Sequence, residues 1–422
     1  MSLNIFALIF IVVDAALLLL LPRRWAPLAL LVGACYMTMG QGITVGPFHF
    51  PIIRILIAIG LSRVLIRGER FGGGMNGMDW LMLVWLALAL TSSFFHKDPS
   101  SAFIFRLGLI FNTCGVYFLF RIFCQSIEDI KVLSIYTGLL LMPVAVAMFY
   151  EKVATYNLFS VLGGVPIVPE IREGNIRASG PFAHSILAGT VGAVCIPIMV
   201  GHWQQNRKIA LIGLLSCSTM VISSASSGPI LSSIVAIAAL FMWRYRQNMR
   251  LVRWIAVLGY IALDIVMKAP AYYIIGRVNV VGGSTGWHRA ALIESAFNHL
   301  NEWWMWGTDY TRHWMPTGVS WSEDHTDITN YYLHFGVVGG LPLMLMFIVI
   351  LSKGFSYVGQ TIQQMADLPS TSLFMLWTLG ASLFVLAVTF ISVSLFDQSF
   401  LFLYMILALI SSAWSVEVSV NH

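Results

Sequence analysis

Apolar stretches of the length that crosses a bilayer recur along this chain from end to end, and few folds can absorb them. A helix needs about 20 apolar residues to span the hydrocarbon core. Runs of this kind occupy 2–21, 26–40, 49–66, 79–95, 102–121, 132–150, 184–203, 209–225, 229–243, 251–267, 328–352, 372–394 and 398–416. The run 26–40 is short for a full crossing, so twelve to fourteen spans fit the pattern. Charged residues make up only 10% of the chain, against roughly 25% in a soluble domain. Such a chain cannot cover a globular surface with polar groups and needs lipid as its solvent. The expected fold is all-α and polytopic, with one integral membrane domain over 1–422 and no separate soluble domain.

The basic residues predict an orientation. Short cytoplasmic loops hold an excess of Lys and Arg. Alternate connections collect more than half of the 24 basic residues on one side, in clusters such as Arg23-Arg24, Arg63 to Arg70, Arg207-Lys208 and Arg244 to Arg253. With that side cytoplasmic, the loops 151–183 and 268–327 face out. The first span has no small-residue cleavage site after it, because Pro22-Arg23-Arg24 follows, so it is expected to stay uncleaved. The formal charge of +5 is largely this topology signal. No basic cluster interleaves with aromatics on a soluble module, so no nucleic-acid partner is expected; membrane lipids are. The five cysteines lie in or at the ends of apolar runs, which argues against a disulfide framework and a Cys-based metal site. No cofactor is expected.

Ionisable side chains concentrate in the longer loop: Arg277, His288, Arg289, Glu294, His299, Glu302, Asp309, Arg312, His313, Glu323, Asp324, His325 and Asp327. They are mixed with Trp, Tyr and Gly rather than with the Lys and Ser of a purely solvated loop. Within it, Ile293, Phe297 and Leu300 recur at helical spacing and predict an amphipathic helix at the membrane surface. Trp303, Trp304 and Trp306 fit an interfacial aromatic belt better than a platform for sugar rings. His313 and His325 stand twelve apart, a spacing that matches no standard zinc pattern, so no metal is expected. The shorter loop carries Arg172 and ends in Arg177 to His184 at the mouth of the next span. Two arginines from different loops could clamp a diphosphate, since guanidinium suits bidentate binding of oxyanions.

Three stretches together resemble the O-antigen ligase and polymerase family of bacterial envelope enzymes. Ile176-Arg177-Ala178-Ser179-Gly180-Pro181-Phe182-Ala183-His184 is similar to the family's Arg-x-x-Gly-x-Phe segment entering a span. Trp287-His288-Arg289-Ala290-Ala291-Leu292, leading to Trp306-Gly307-Thr308, resembles its Arg, helix and Gly-rich turn. His325, followed by Gly336 and Gly339 across Asn330-Tyr331-Tyr332-Leu333, resembles its loop-end His and the two glycines of the next span. The likeness covers about 170–352. It departs in Thr326, where relatives commonly have Asn, Ser or Gln, and in Ser223 to Gly228, where they have a Ser-Arg-Gly turn.

The resemblance implies a metal-independent, inverting glycosyl transfer on the outer, periplasmic side of the bacterial cytoplasmic membrane. The donor would be a glycan on a polyprenyl diphosphate, and the acceptor a lipid A-core sugar or another glycan or glycolipid. The residues suit that chemistry. Charge builds on the leaving phosphate, and without a metal arginines must stabilise it; Arg177 and Arg289 are the candidates, with Arg172 and Arg312 in reserve and His184 and Trp306 as further substrate contacts. His325 is the candidate base or orienting group for the acceptor hydroxyl. Polymerisation of lipid-linked repeats is the alternative within the family. A lipid-linked sugar transporter is the alternative outside it, although no internal repeat supports one.

Overall fold

The computed structural model describes residues 3–277, 286–365 and 369–418. Part of the longer loop, 278–285, therefore lies outside the described residues, as does the start of the first predicted span. Each apolar run coincides with a helix. In order these are α1 (Ile5–Leu20), α2 (Ala26–Tyr36), α3 (Ile52–Arg67), α4 (Gly77–Ser92), α5 (Pro99–Phe123), α6 (Ile127–Ala154), α7 (Ser185–Gly201), α8 (Arg207–Ser223), α9 (Ser227–Phe241) and α10 (Met249–Val266). The longer loop adds α11 (Ile274–Arg277), α12 (Gly286–Asn298) and α13 (Leu300–Trp303), and then come α14 (Tyr331–Gln364), α15 (Ser370–Thr389) and α16 (Phe400–Val418). Gly77–Phe95, Pro99–Phe123, Ile127–Ala154, Tyr331–Gln364 and Ser370–Thr389 are long and apolar enough to cross a membrane, and Ile5–Leu20, Ser185–Gly201 and Phe400–Ser415 are shorter apolar helices. The chain is thus an all-α, membrane-embedded protein.

The segment 26–40 is not one continuous helix. After α2 the chain turns into a hairpin of β1 (Gly42–Val45) and β2 (Phe48–Pro51), and Pro51 starts α3. The centre of the bundle is α16. A helix apolar on all sides is buried on all sides, and every residue from Phe400 to Ala413 is buried, against α5, α14 and α15. Small residues let α7 sit close to its neighbours, with Cys217 O 2.8 Å and Pro229 Cβ 2.8 Å from where side chains would begin at Gly192 and Gly189. The outside is apolar too: Phe6, Ile9, Val146, Leu215 and Ile237 are all exposed, as is nearly all of α10. Lipid rather than water suits that surface.

A break in α14 fixes the longer loop to the bundle. Gly339 and Gly340 leave helical geometry, and Gly340 adopts φ +75°. The backbone of 303–308 fills the gap: Leu341 N donates to Trp304 O at 2.7 Å and Thr308 N to Val337 O at 2.9 Å. A Cβ at Gly340 would stand 2.3 Å from Met305 O, and one at Gly307 (φ +93°) 2.2 Å from Val337 O, so only glycine permits this approach. Gly336 likewise yields to the Trp303 ring.

The helix expected in the longer loop is α12, and it has an inner and an outer face. His288, Leu292 and Ala296 are the buried face of α12, while Phe297 is 64% exposed and Ile293 and Leu300 are half-buried. On the inner face Ala296 lets Trp303 close in, with its Nε1 donating to Ala296 O at 2.8 Å. Leu292, Ala296 and Trp303 form a satellite core with Trp314 and Met315.

Candidate functional site

The arginine cluster starts in a two-residue hairpin. β3 (Glu170–Arg172) pairs with β4 (Asn175–Arg177), and the turn residues Glu173 and Gly174 both have positive φ, at 48° and 76°. That geometry matches the right-handed twist of the strands. The register sets Glu170 opposite Arg177, and cross-strand neighbours of opposite charge interact directly. Arg177 Nη1 donates to Glu170 Oε2 at 2.6 Å, and Arg172 Nη2 to Glu170 Oε1 at 2.9 Å. The other side of the Arg177 guanidinium donates to Ser226 Oγ, from Nη2 at 2.7 Å and Nε at 3.3 Å. Ser226 follows Ala225, a non-glycine residue at φ +42° in the turn between α8 and α9.

The segment after Arg177 is held from several elements at once. Glu151, buried at the end of α6, accepts from Ser179 N at 3.1 Å and Gly180 N at 2.8 Å. Asn157 Nδ2 donates to Gly180 O at 2.9 Å, Gln398 Nε2 to Pro181 O at 2.8 Å, and Ala183 N to Asp397 Oδ2 at 2.8 Å. His184 then caps α7, its Nδ1 accepting from Ile186 N at 3.1 Å. That bond puts the neutral ring's proton on Nε2, which lies 3.7 Å from Glu170 Oε2. Burial and the charge of Arg177 push the His184 pKa down to about 4, so the ring is neutral at pH 7 and Nε2–H remains a donor. So many fixed donors and acceptors make a rigid platform.

Arg289 joins the cluster from the other loop. Burial and the positive charge of Arg172 lower its pKa, with Asp327 opposing. Arg177 is lowered chiefly by burial, and Arg172 and Arg289 both add to that effect. The two loops therefore come within electrostatic reach of each other: Arg289 feels Arg172 and Asp327, and Arg177 feels Glu170, Arg172 and Arg289. Arg289 Nε is buried without a hydrogen-bond partner among the described residues. A buried charged donor left unpaired is costly, and an oxyanion would satisfy it.

The remaining candidates make contacts of their own. His325 is half-buried, with Nδ1 2.8 Å from Ser322 Oγ and its ring 5.5 Å from that of Trp321. It stands beside an open hollow lined by Arg312, Gly318, Val319, Trp321 and Ser322. Two residues on, Asp327 O lies 3.2 Å from His288 Nε2, which connects this strip to α12. Arg312 holds its own loop, donating to Met315 O at 2.7 Å and Pro316 O at 3.2 Å. Trp306 stacks on Phe95, centroids 4.1 Å apart, and its carbonyl lies 3.0 Å from His96 Nε2. Trp306 is a packing residue here and is not brought to the arginines.

Sequence reasoning missed Glu170, Ser226 and Glu151. The Glu173-Gly174 pair between two short apolar-centred strands signals the hairpin and hence the Glu170–Arg177 pairing. A lone acid at the end of an apolar run marks Glu151. Ser226 lies in the Ser223 to Gly228 turn singled out in the sequence, but nothing local ties it to Arg177, 49 residues away. Arg106 and Asp264, charges within apolar runs, also find partners: Arg106 donates to Ser92 Oγ at 2.9 Å and to Val338 O at the α14 break, and Asp264 accepts from Ala271 N at 2.8 Å. No family model and no curated protein matches this chain.

Proposed function

We propose that the chain is a membrane glycosyltransferase of the O-antigen ligase type. It moves a glycan from a polyprenyl diphosphate to a lipid A-core sugar or similar acceptor, on the outer face of the bacterial cytoplasmic membrane. The single observation that carries the reading is the electrostatic convergence of Arg172, Arg177 and Arg289 from two loops, with a buried Arg289 Nε–H that has no partner among the described residues. A diphosphate supplies several acceptor oxygens and the negative charge that three guanidinium groups attract. As the sugar–phosphate bond breaks, charge grows on the leaving diphosphate, and donors already fixed in place stabilise it without reorganisation. Arg177, locked by Glu170 and Ser226, is such a fixed group. His184 adds a neutral Nε2–H donor. Arginine charge takes the place a divalent ion holds in other diphosphate chemistry, so the transfer step runs without a metal.

On the acceptor side, His325 takes the proton of the attacking hydroxyl. Its Nδ1 contact with Ser322 leaves Nε2 to face the acceptor, and Trp321, 74% exposed, offers a flat apolar face to a sugar ring. The test is transfer by purified protein in proteoliposomes, given polyprenyl-diphosphate-linked glycan and candidate acceptors, beside His325→Ala. Transfer by wild type alone, with the variant folded, supports the enzyme. The acceptor used separates ligation from polymerisation. Movement of the lipid-linked glycan across the bilayer without transfer to any acceptor would make the arginines a transporter's substrate contacts.

A further inference from the structure

A second polar cluster lies in the longer loop, and it uses none of the groups above. His299 stands at the residue before α13, Glu302 follows one turn later, and His313 comes from the short turn before Trp314. Their nearest nitrogen and oxygen atoms all lie within 4.8 Å of one another. In the sequence His313 has a neighbour in His325, twelve residues on; the fold pairs it with His299 instead, rings 4.8 Å apart and perpendicular.

Three features set this cluster apart from a solvated patch. First, His299 Nδ1 lies 2.8 Å from Ser295 O and must donate to it. The neutral ring therefore carries its lone pair on Nε2, with the tautomer fixed by a backbone carbonyl, as in histidines that bind metals. Second, Trp314 Nε1 donates to Glu302 Oε2 at 3.1 Å. That bond orients the carboxylate from behind and leaves its other lone pairs open. Third, His313 Nε2 sits 3.0 Å from the same carboxylate, and its ring stacks on Tyr310 at 4.8 Å. Stacking limits the rotation of His313, as the His299–Trp314 stack does for His299.

We propose that His299 Nε2, Glu302 and His313 Nε2 form a binding site for a divalent transition metal, with zinc the best fit. Two imidazoles and one carboxylate suit zinc, and the site leaves a fourth position open to solvent. Calcium and magnesium prefer all-oxygen shells. Bonds of about 2.0–2.1 Å bring donor atoms to roughly 3.3 Å from one another in a tetrahedron. The present spread closes by small side-chain shifts, chiefly of the exposed Glu302, with the stacked histidines near their present positions. On binding, His313 changes tautomer: its proton leaves Nε2 and Nδ1 holds one instead, exchanged through solvent, so the ring stays neutral and the ion replaces the His313–Glu302 hydrogen bond. The bound ion ties α12 and α13 to the Arg312–Trp314 turn. It clamps the loop from outside the arginine cluster and takes no part in the transfer step, so it stands or falls independently of the glycosyltransferase reading.

The experiment uses untagged, full-length protein in detergent, stripped of metal, and titrated with Co²⁺ and Zn²⁺, with Ca²⁺ as control. Wild type is expected to bind one Co²⁺ with a visible ligand-field band that Zn²⁺ abolishes and Ca²⁺ does not, and its unfolding temperature rises with Zn²⁺. His299→Gln and His313→Gln are each expected to bind at least about tenfold more weakly, while unfolding within a few degrees of metal-free wild type. Glu302→Gln keeps an acceptor for Trp314 and separates loss of the ligand charge from loss of local structure. Absence of stoichiometric binding in the wild type, or binding by both histidine variants at wild-type strength, overturns the proposal.

Discussion

Arg289 offers the sharpest test, because its two possible roles predict stability changes of opposite sign. An arginine that holds the fold loses stability when replaced. An arginine held ready for a ligand does not. Arg289 Nε is buried with no partner among the described residues, and leaving a buried donor unpaired costs about 1–3 kcal/mol. Arg289→Met keeps most of the apolar stem and removes that donor, along with the repulsion from Arg172. The ligand-free variant is therefore expected to be as stable as wild type or more so, by up to about 1–3 kcal/mol. Arg289→Lys keeps the charge but replaces the fork with a single ammonium. Losing one charge-assisted hydrogen bond costs about 1.5–3 kcal/mol, which is roughly 10- to 150-fold in affinity for a diphosphate. The assay is titration of detergent-solubilised protein with a short-chain polyprenyl diphosphate, paired with thermal unfolding of each variant without ligand. Wild-type affinity in Arg289→Lys, or clear thermal destabilisation of ligand-free Arg289→Met, would refute the reasoning.

Ser226→Ala leaves Arg177 Nε and Nη2 without their acceptor, and is expected to cost about 1–3 kcal/mol of stability and to weaken diphosphate binding in the same titration. Gly307→Ala forces a Cβ against Val337 O at a positive φ; strain and overpacking together give a loss of about 2–5 kcal/mol, read as a lower unfolding temperature. His184 is neutral in the fold, with its pKa pushed down to about 4, while an unfolded histidine titrates near 6.5. The unfolded chain thus binds the extra proton between these values, so this contribution to stability is complete above about pH 6.5 and declines as the pH falls toward 4. His184→Asn retains a capping side chain and should lose less stability than wild type between pH 7 and pH 5; equal losses would remove His184 as a source. Trp306→Ala should lower the unfolding temperature through lost stacking on Phe95 yet leave diphosphate affinity unchanged.

The all-α, membrane-embedded fold was legible in the sequence because it follows from local quantities. The length of each apolar run and the scarcity of charge do not depend on what packs against what. Hence every run is a helix, with boundaries mostly within a few residues. The exceptions are governed by particular contacts. The run 26–40 stops at Tyr36 because a hairpin competes for the following residues, and α14 breaks at Gly339-Gly340 because the backbone of 303–308 bonds into it. On α12 the small Ala296 takes the inward position because Trp303 approaches it closely, a contact that hydrophobicity alone does not mark.

Arg177 and Arg289 stood out in sequence as charges that an apolar chain has little reason to carry, and their pairing across two loops was a guess from chemistry. Only the tertiary structure decides that they share a site, because 112 residues separate them and no local pattern carries a distance that long. The same reason explains what was invisible. Ser226 and Glu151 act on Arg177 and on the turn after it from separate helices, and His299 meets His313 only because α13 and the turn before Trp314 pack side by side. Sequence set which residues are too polar for lipid; packing decided which of them meet, since hydrogen bonds and charge pairs form between neighbours in space.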